Sequence, residues 1–228
     1  DDVKSVSVGW RVSYAIKNDG TLWAWGRHDK HQLGIETTED QLVPVKIMDD
    51  VTMVSSSATE SKWVAAIKTD GTLWIWGEAR PTPTKVLDNV SSAVVGIDYV
   101  EAIKQDGSLW AFGINQYGQI GNGTTVTQTT PMKIMDDVAE VASSGETTMV
   151  NKLNGSVWTW GRNSNGLLGD GTTPSQKEYC AEPKQIIEGR SSSDLYGISS
   201  RKKAYCIAVG EENVIDAFPV PLNAVYNS

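Results

Sequence analysis

Short apolar segments alternate with polar turns along this chain, and one segment recurs with nearly the same residues. It has a Leu-Trp-x-Trp-Gly core preceded by Asp-Gly or Asn-Gly, and its four clear copies are residues 19–26, 70–77, 106–113 and 154–161. A frayed fifth copy can be placed on residues 203–210. Repeat starts that lie roughly 36 to 51 residues apart indicate an array of similar supersecondary units.

Each copy predicts a β-hairpin. Asp-Gly or Asn-Gly between apolar runs favours a type I′ turn, which needs positive φ at both central residues. The segments before the first three turns, residues 12–16, 63–67 and 99–103, are rich in β-branched, aromatic and small residues. The strand after each turn is apolar on both faces, as expected where a sheet lies between two neighbouring sheets.

A small antiparallel sheet that repeats and is buried on both faces is the blade of a β-propeller. We therefore predict an all-β propeller of five blades, four clear and one degenerate. A nearly identical segment, residues 44–51 and 131–138, leads into the next blade as its outer part. The chain starts at the end of such a segment and finishes near residues 221–225, so the termini are expected to close the ring. Residues 1–228 are predicted to form a single domain, since the repeat leaves no boundary.

The repeat resembles that of the regulator of chromosome condensation (RCC1) family, and its Trp-rich form is similar to the bacterial branch. The resemblance rests on Asp-Gly-Thr-Leu-Trp-Ala-Trp-Gly followed by a loop of the Gly-Gln-Leu-Gly type, present at residues 31–34, 117–124 and 165–172. It implies a propeller, usually of seven blades, whereas this chain holds five units. The second unit replaces the loop with Pro81-Thr82-Pro83, so its blade is expected to have a trimmed edge.

Seven of the nine tryptophans occupy two repeated strand positions and are expected to be core residues: Trp23, Trp74, Trp110 and Trp158 at one, and Trp25, Trp76 and Trp160 at the other. Trp10 and Trp63 lie outside this pattern. Both precede the first strand of a predicted hairpin.

Alignment of the units on their turns places Val12, Trp63, Tyr99 and Tyr196 at one position, with Thr147 or Thr148 in the fourth unit. Rotational repetition puts such positions on one face around the axis. Aromatic residues and arginine are enriched at the energetic centres of protein interfaces. We therefore predict a partner-binding face made of Trp10, Arg11, Trp63, Asp98, Tyr99 and Tyr196. The alternative is that these rings pack between blades or fill the channel.

Charge and hydropathy argue against two classes of partner. Lys and Arg total 20 against 28 Asp and Glu, for a net charge of −8, so the chain has no basic footprint for nucleic-acid phosphates. No run approaches the roughly 18 apolar residues of a membrane-spanning helix, and residues 1–4 lack the apolar core of a signal peptide. Neither nucleic acid nor membrane insertion is expected.

No catalytic residue, metal or cofactor is predicted. His28 and His31 share a loop with Asp29, but Lys30 opposes a cation there, so a solvated loop is favoured over two metal ligands. The Asp-Asp pairs at 49–50 and 136–137 recur with the repeat, which indicates turn chemistry. Several carboxylates converging at the axis would favour an enzyme instead. Cys180 and Cys206 form either one bridge, as in a secreted protein, or two reduced thiols.

The expected function is a non-enzymatic protein-binding scaffold, bacterial and extracellular or surface-attached. Inhibition of a partner enzyme is a specialised form of it, because a bacterial propeller inhibitor of β-lactamases has this repeat type. The family resemblance also implies an alternative, guanine-nucleotide exchange on a small GTPase, although no long insertion or basic tail is visible. The ultraviolet-B photoreceptors of the family use a repeated Gly-Trp-Arg-His-Thr motif, of which residues 9–11 are one partial copy.

Overall fold

A computed structural model describes residues 2–57 and 63–189. These residues form four antiparallel sheets, each of four consecutive strands, so the all-β prediction is confirmed. In chain order the sheets are β1 (Val3–Gly9), β2 (Val12–Lys17), β3 (Leu22–Gly26) and β4 (Gln41–Met48); β5 (Val51–Ser56), β6 (Trp63–Lys68), β7 (Leu73–Gly77) and β8 (Arg80–Leu87); β9 (Val90–Val95), β10 (Tyr99–Lys104), β11 (Leu109–Gly113) and β12 (Gln128–Met135); β13 (Val138–Ser144), β14 (Thr147–Lys152), β15 (Val157–Arg162) and β16 (Tyr179–Ile187). A single 3-10 turn, Ser164–Gly166, follows β15.

The four sheets are arranged like propeller blades. Their first strands lie side by side, since β1 contacts β5, β5 contacts β9 and β9 contacts β13. These are the inner strands, and β4, β8, β12 and β16 are the outer ones. The predicted fifth repeat lies outside the described residues, so closure of the ring by the termini stays a prediction.

The hairpin turns are correctly placed by the sequence, but the turn type is wrong. In the first turn only Gly20 has positive φ, at 82°, and its N–H donates to the Lys17 carbonyl. This is a three-residue loop that ends in a left-handed glycine. Asp19 Oδ1 accepts the Thr21 N–H and hydroxyl at 2.9 and 2.7 Å, which holds Asp19 in an ordinary conformation. The same bonds recur at Asp70, Asp106 and Asn154.

The tryptophan prediction is half correct. Trp76 and Trp160 are fully buried between sheets. At the other repeated position the indoles are only half-buried, because each lies near the turn with a lysine ammonium 4.4 to 6.0 Å above its ring: Trp23, Trp74, Trp110 and Trp158. Each of these indoles donates to the hydroxyl of the turn Thr or Ser. They clamp the turns while covering only part of the core.

The outer strand of the second sheet is not trimmed. β8 has eight residues, as have β4 and β12, so only the connection before it is shortened. The Asp-Asp pairs that follow outer strands serve turns, as predicted. Asp50 and Asp137 adopt left-handed φ of 63° and 61°, while Asp49 and Asp136 pair with lysines on the outer strands.

Antiparallel order gives the molecule two edges. The loop edge holds the tips between the first and second strands of each sheet and the connections between the third and fourth strands. The turn edge holds the Asp-Gly and Asn-Gly turns. All candidate binding residues within the described ranges belong to the loop edge or start a strand there.

Candidate functional site at the loop edge

The predicted equivalence of the four sheets is confirmed. Val12, Trp63, Tyr99 and Thr147 each begin the second strand of a sheet. Their register partners are the glycines that end the third strands. The sequence therefore located one repeated position correctly and left only the choice between Thr147 and Thr148, which the register resolves in favour of Thr147.

Tyr99 is a core residue and does not contact a partner at the surface, which corrects that part of the prediction. Its side chain is fully buried and packs over Gly96, where an added Cβ would lie only 1.9 Å from the ring. Its hydroxyl reaches Thr148 Oγ1 at 3.1 Å and the Thr147 carbonyl at 3.3 Å. Burial raises the pKa of this phenol, and the ring joins the third sheet to the fourth.

Trp63 also has a packing role. It is half-buried between the second and third sheets, with its ring centroid 5.6 Å from that of Phe112. It fills the space left by the loop that the second sheet lacks, as described below. Tyr196 lies outside the described residues.

Trp10 and Arg11 form a surface cluster on the loop edge. The guanidinium carbons of Arg11 and Arg27 each lie 4.6 Å from the Trp10 ring centroid. Arg27 also pairs with Asp29, and its N–H donates to the Arg11 carbonyl at 2.8 Å. Arg11 is exposed and has a left-handed φ of 61°, which points this tip residue away from regular pairing. We call Trp10, Arg11 and Arg27 the Trp-Arg cluster.

A second arginine on this edge stacks on an aromatic ring. Arg162 lies 4.4 Å from the Tyr117 ring centroid and 3.5 Å from Glu146. Arg27 and Arg162 each directly follow the glycine that ends the third strand, so the repeat itself carried a signal for them that the sequence interpretation missed. Asp98 is at the equivalent tip of the third sheet, half-buried with φ of 57°.

A second set of loop-edge contacts joins neighbouring sheets. Trp76 donates its indole N–H to the Gln32 carbonyl, and Trp160 donates to the Gln119 carbonyl, both at 2.8 Å. The rings lie against Gly34 and Gly121, where an added Cβ would come within 3.0 and 2.7 Å of them. We call residues 31–34, 118–121 and 166–169 the docking loops, and Trp25, Trp76 and Trp160 the docking tryptophans.

The one sheet without a docking loop shows the rule. The second sheet passes from β7 to β8 within a few residues, so it offers no carbonyl at this place. The next sheet accordingly carries Phe112, which has no N–H to satisfy, and Trp63 packs against it. The indole is present where a loop accepts its proton and absent where the loop is missing.

Each docking loop is held by one buried polar side chain two residues after the strand-ending glycine. These are His28, Asn115 and Asn163, all fully buried. Asn115 Oδ1 accepts the Ile120 N–H at 2.9 Å, and Asn163 Oδ1 accepts the Leu168 N–H at 3.2 Å. His28 does the same with Nδ1, which accepts the Leu33 N–H at 3.1 Å. The expectation that His28 belongs to a solvated loop is therefore wrong.

The geometry of His28 predicts an acid-sensitive first loop. Burial lowers the pKa of His28, because Nδ1 must stay unprotonated to accept the Leu33 N–H while Nε2 faces the Ile35 carbonyl. A histidine whose folded pKa lies below its unfolded value of 6.5 stabilises the fold above pH about 6.5, and this contribution is lost as the pH falls through the folded pKa.

The His28→Asn variant should fold and should lose this acid sensitivity, because Asn fills the same position in two other sheets. Thermal melts of both proteins at about pH 7.5 and about pH 5 measure the difference. A fall in melting temperature that is equal in the two proteins would contradict the assignment.

The inner strands enclose a cavity of about 320 Å³ near the axis, lined mainly by serine, valine and alanine. It is lined by Ser55, Ser56, Ser57, Val94, Val95, Val141, Ala142, Ser143, Ser144 and Gly145. A single carboxyl, Glu101, adjoins it by accepting the Ser143 hydroxyl at 2.5 Å. Convergent carboxylates, which would have favoured an enzyme, do not line this cavity.

Within residues 2–57 and 63–189, no three His, Cys, Asp or Glu side chains are grouped as metal ligands. No helix in the same ranges has the length and apolarity to cross a bilayer. Cys206, one member of the suggested disulfide, lies outside the described residues.

Two family models match the sequence, both described as the regulator of chromosome condensation (RCC1) repeat. One covers residues 19–61, 106–150 and 154–200, and the other covers residues 3–32. Together they span more than half of the chain. The unmatched stretch between residues 62 and 105 contains the sheet that lacks a docking loop.

Among curated proteins, the ultraviolet-B receptor UVR8 of Arabidopsis thaliana is 27% identical over 138 residues, which are 53% of this chain and 31% of UVR8. Among solved structures, human WBSCR16 has a TM-score of 0.70 at 19% identity, over 82% of this chain and 53% of that one. Yeast RCC1 (Prp20) bound to Kap60 gives 0.68 at 17%, over 80% and 49%. The chain thus spans about a third of the curated relative and about half of the structures, and the structural likenesses support the propeller fold.

Proposed function

We propose, from the premise that this chain belongs to the regulator of chromosome condensation repeat family, that its loop edge binds a partner protein and that the chain acts as a scaffold or regulator. A propeller of these repeats is a rigid frame, and its variable connections supply the surface that differs between repeats. The yeast relative is itself seen in a complex with the protein Kap60. The fold thus favours a binding function over a catalytic one.

The observation that carries this proposal is the Trp-Arg cluster. Trp10 is held between two guanidiniums, and Arg11 is exposed at the tip of the first sheet. Rings and guanidiniums held in place lose little conformational freedom on binding, so they give much contact free energy for their area. The clustered arginines favour a partner that presents carboxylates, since Arg forms bidentate hydrogen bonds with them.

Two finer parts of the proposal derive from the sequence pattern: a bacterial protein outside the cell or on its surface, and inhibition of a partner enzyme. Detection of the chain in the culture medium or the surface fraction of its source cells tests the first part. A decrease in the partner's catalytic rate when the chain is added tests the second.

Substitutions in the Trp-Arg cluster should weaken partner binding by about tenfold or more, while the fold remains intact. Arg11→Glu reverses an exposed charge, and Trp10→Ala removes the ring. The partner is first captured with the wild-type chain as bait, and its affinity for each purified variant is then measured by calorimetry.

Lys17→Glu is the matched control. Lys17 also stacks on an indole, that of Trp23, but on the turn edge. Equal weakening by the Lys17 and Arg11 substitutions would show that overall charge controls binding, and unchanged affinity in both cluster variants would remove the loop-edge assignment. If the captured partner is a small GTPase, release of a fluorescent guanine nucleotide from it distinguishes exchange activity from binding alone.

A further inference from the structure

The docking tryptophans and docking loops leave one member of each kind without its counterpart in the described residues. Trp25 of the first sheet corresponds to Trp76 and Trp160, but no docking loop precedes the first sheet there. The docking loop of the fourth sheet, residues 166–169, corresponds to the loops that receive Trp76 and Trp160, but no described sheet follows it. One end of the array therefore offers an indole donor, and the other end offers the carbonyl of Leu167.

Both ends are more open than their internal equivalents. Val6 and Val8 share the face of Trp25, since they pair with Ala15 and Ser13, which in turn pair with Trp23 and Trp25. Their side chains are 72% and 68% exposed. The equivalent residues of the third sheet, Ala93 and Val95, are buried, as they lie against the second sheet.

The loop end is open in the same way. Leu167 is 49% exposed, although the equivalent Gln32 and Gln119 are buried beneath docking tryptophans. Trp25 is only half-buried, whereas Trp76, Phe112 and Trp160 are fully buried. The differences are confined to the two outward faces of the array, and the strands that form them are otherwise regular.

The fifth repeat of this sequence has neither half of the contact. Residues 203–210 place Val209 where the docking tryptophan would stand, and residues 211–228 contain no Gly-Gln-x-Gly loop. A valine cannot donate to the Leu167 carbonyl, and without a docking loop there is no acceptor for Trp25.

We propose that the two ends bind each other between chains, so that Trp25 of one copy docks on residues 166–169 of a second copy. The contact repeats one that the chain already makes twice internally, with an indole N–H to a loop carbonyl and a ring against glycine. The two surfaces are different, so the interface is head-to-tail, and two copies can satisfy both ends by closing a ring. This association does not depend on the proposed partner binding.

Light scattering coupled to size-exclusion chromatography, run on the full chain over a range of concentrations, tests the inference. The wild-type chain should have the mass of two copies or more. Trp25→Phe should raise the dissociation constant by about tenfold, because it removes one hydrogen bond and part of a ring. Phe112 shows that the repeat tolerates phenylalanine at this position.

Two further variants make the test specific. Trp160→Phe removes the internal counterpart of the same hydrogen bond and should leave the mass unchanged. Leu167→Asp puts a charge on the exposed loop end and should weaken association like Trp25→Phe.

A mixture of Trp25→Phe and Leu167→Asp should associate more strongly than either variant alone, since one interface of the mixed pair combines two intact ends. A wild-type chain that is monomeric at every concentration would overturn the inference. So would equal effects of the Trp25 and Trp160 substitutions, or a mixture that shows no recovery.

Discussion

Replacement of Glu101 by glutamine should stabilise the protein at neutral and alkaline pH. Glu101 is fully buried between the third and fourth sheets, where the equivalent residues of the other sheets are Tyr14, Ala65 and Met149. Only one carboxyl oxygen accepts a hydrogen bond from the described residues, that of Ser143. Burial raises the pKa of this carboxyl from 4.5 to about 8, although the hydrogen bonds from Ser143 and Thr148 act in the opposite direction.

The sign of the pH dependence follows from that shift. In the unfolded chain the carboxyl ionises near pH 4.5, whereas in the folded chain it keeps its proton until about pH 8. Its contribution is therefore complete below pH 4.5 and is lost as the pH rises through the folded pKa. The loss amounts to about 1.4 kcal/mol for each pH unit across this window.

Urea unfolding followed by tryptophan fluorescence at several pH values between about 5 and 9 measures the effect. The difference in unfolding free energy between Glu101→Gln and wild type should grow with pH and reach a few kcal/mol. Glu140→Gln is the control, since Glu140 is exposed on the neighbouring strand β13. A difference that does not change with pH, or that is the same for Glu140→Gln, would contradict the prediction.

Replacement of Trp160 by alanine should cost about 3 to 5 kcal/mol of unfolding free energy, the range for removing a large buried ring. Trp160 is fully buried between the third and fourth sheets, and its indole satisfies the Gln119 carbonyl. The variant creates a cavity and also leaves that carbonyl without its donor. Because only the contact of two sheets is affected, the loss should appear first in that half of the molecule.

Two other substitutions divide the effect of Trp160→Ala into its parts. Trp160→Phe should cost only about 1 to 2 kcal/mol, because most of the ring volume remains and the hydrogen bond alone is lost. Trp158→Ala should cost less than Trp160→Ala, since Trp158 is half-buried on the same strand and donates to Ser156. Chemical denaturation of the three variants gives the ranking, and equal losses for Trp158→Ala and Trp160→Ala would refute it.

The candidate site shows which residues sequence reasoning can reach. Trp10 and Arg11 were found because they break the repeat, and the structure places both on the loop edge beside Arg27. Tyr99 was found by the same alignment but is buried, because Gly96 leaves room for its ring and Thr148 of the next sheet meets its hydroxyl. The two aromatic residues look alike in the sequence and differ in the neighbours that surround them.

Within the described residues, the sequence alone determined the hairpins, their order and the all-β class. These properties arise from alternation along a strand and from turn residues within a few positions, so each repeat carries the information for its own local structure. The three-residue form of the turn was missed, since it depends on hydrogen bonds from Asp19 and its equivalents to the residues that follow them.

Only the tertiary structure decided which side chains serve the core, the docking loops or the surface. His28 and Asn115 have different chemistry and no shared motif, yet they hold equivalent loops because the same buried N–H needs an acceptor. Phe112 takes the place of a docking tryptophan because the preceding sheet lacks a loop. Such choices are made between residues distant in the chain, since burial and hydrogen-bond satisfaction depend on what the neighbouring sheet presents.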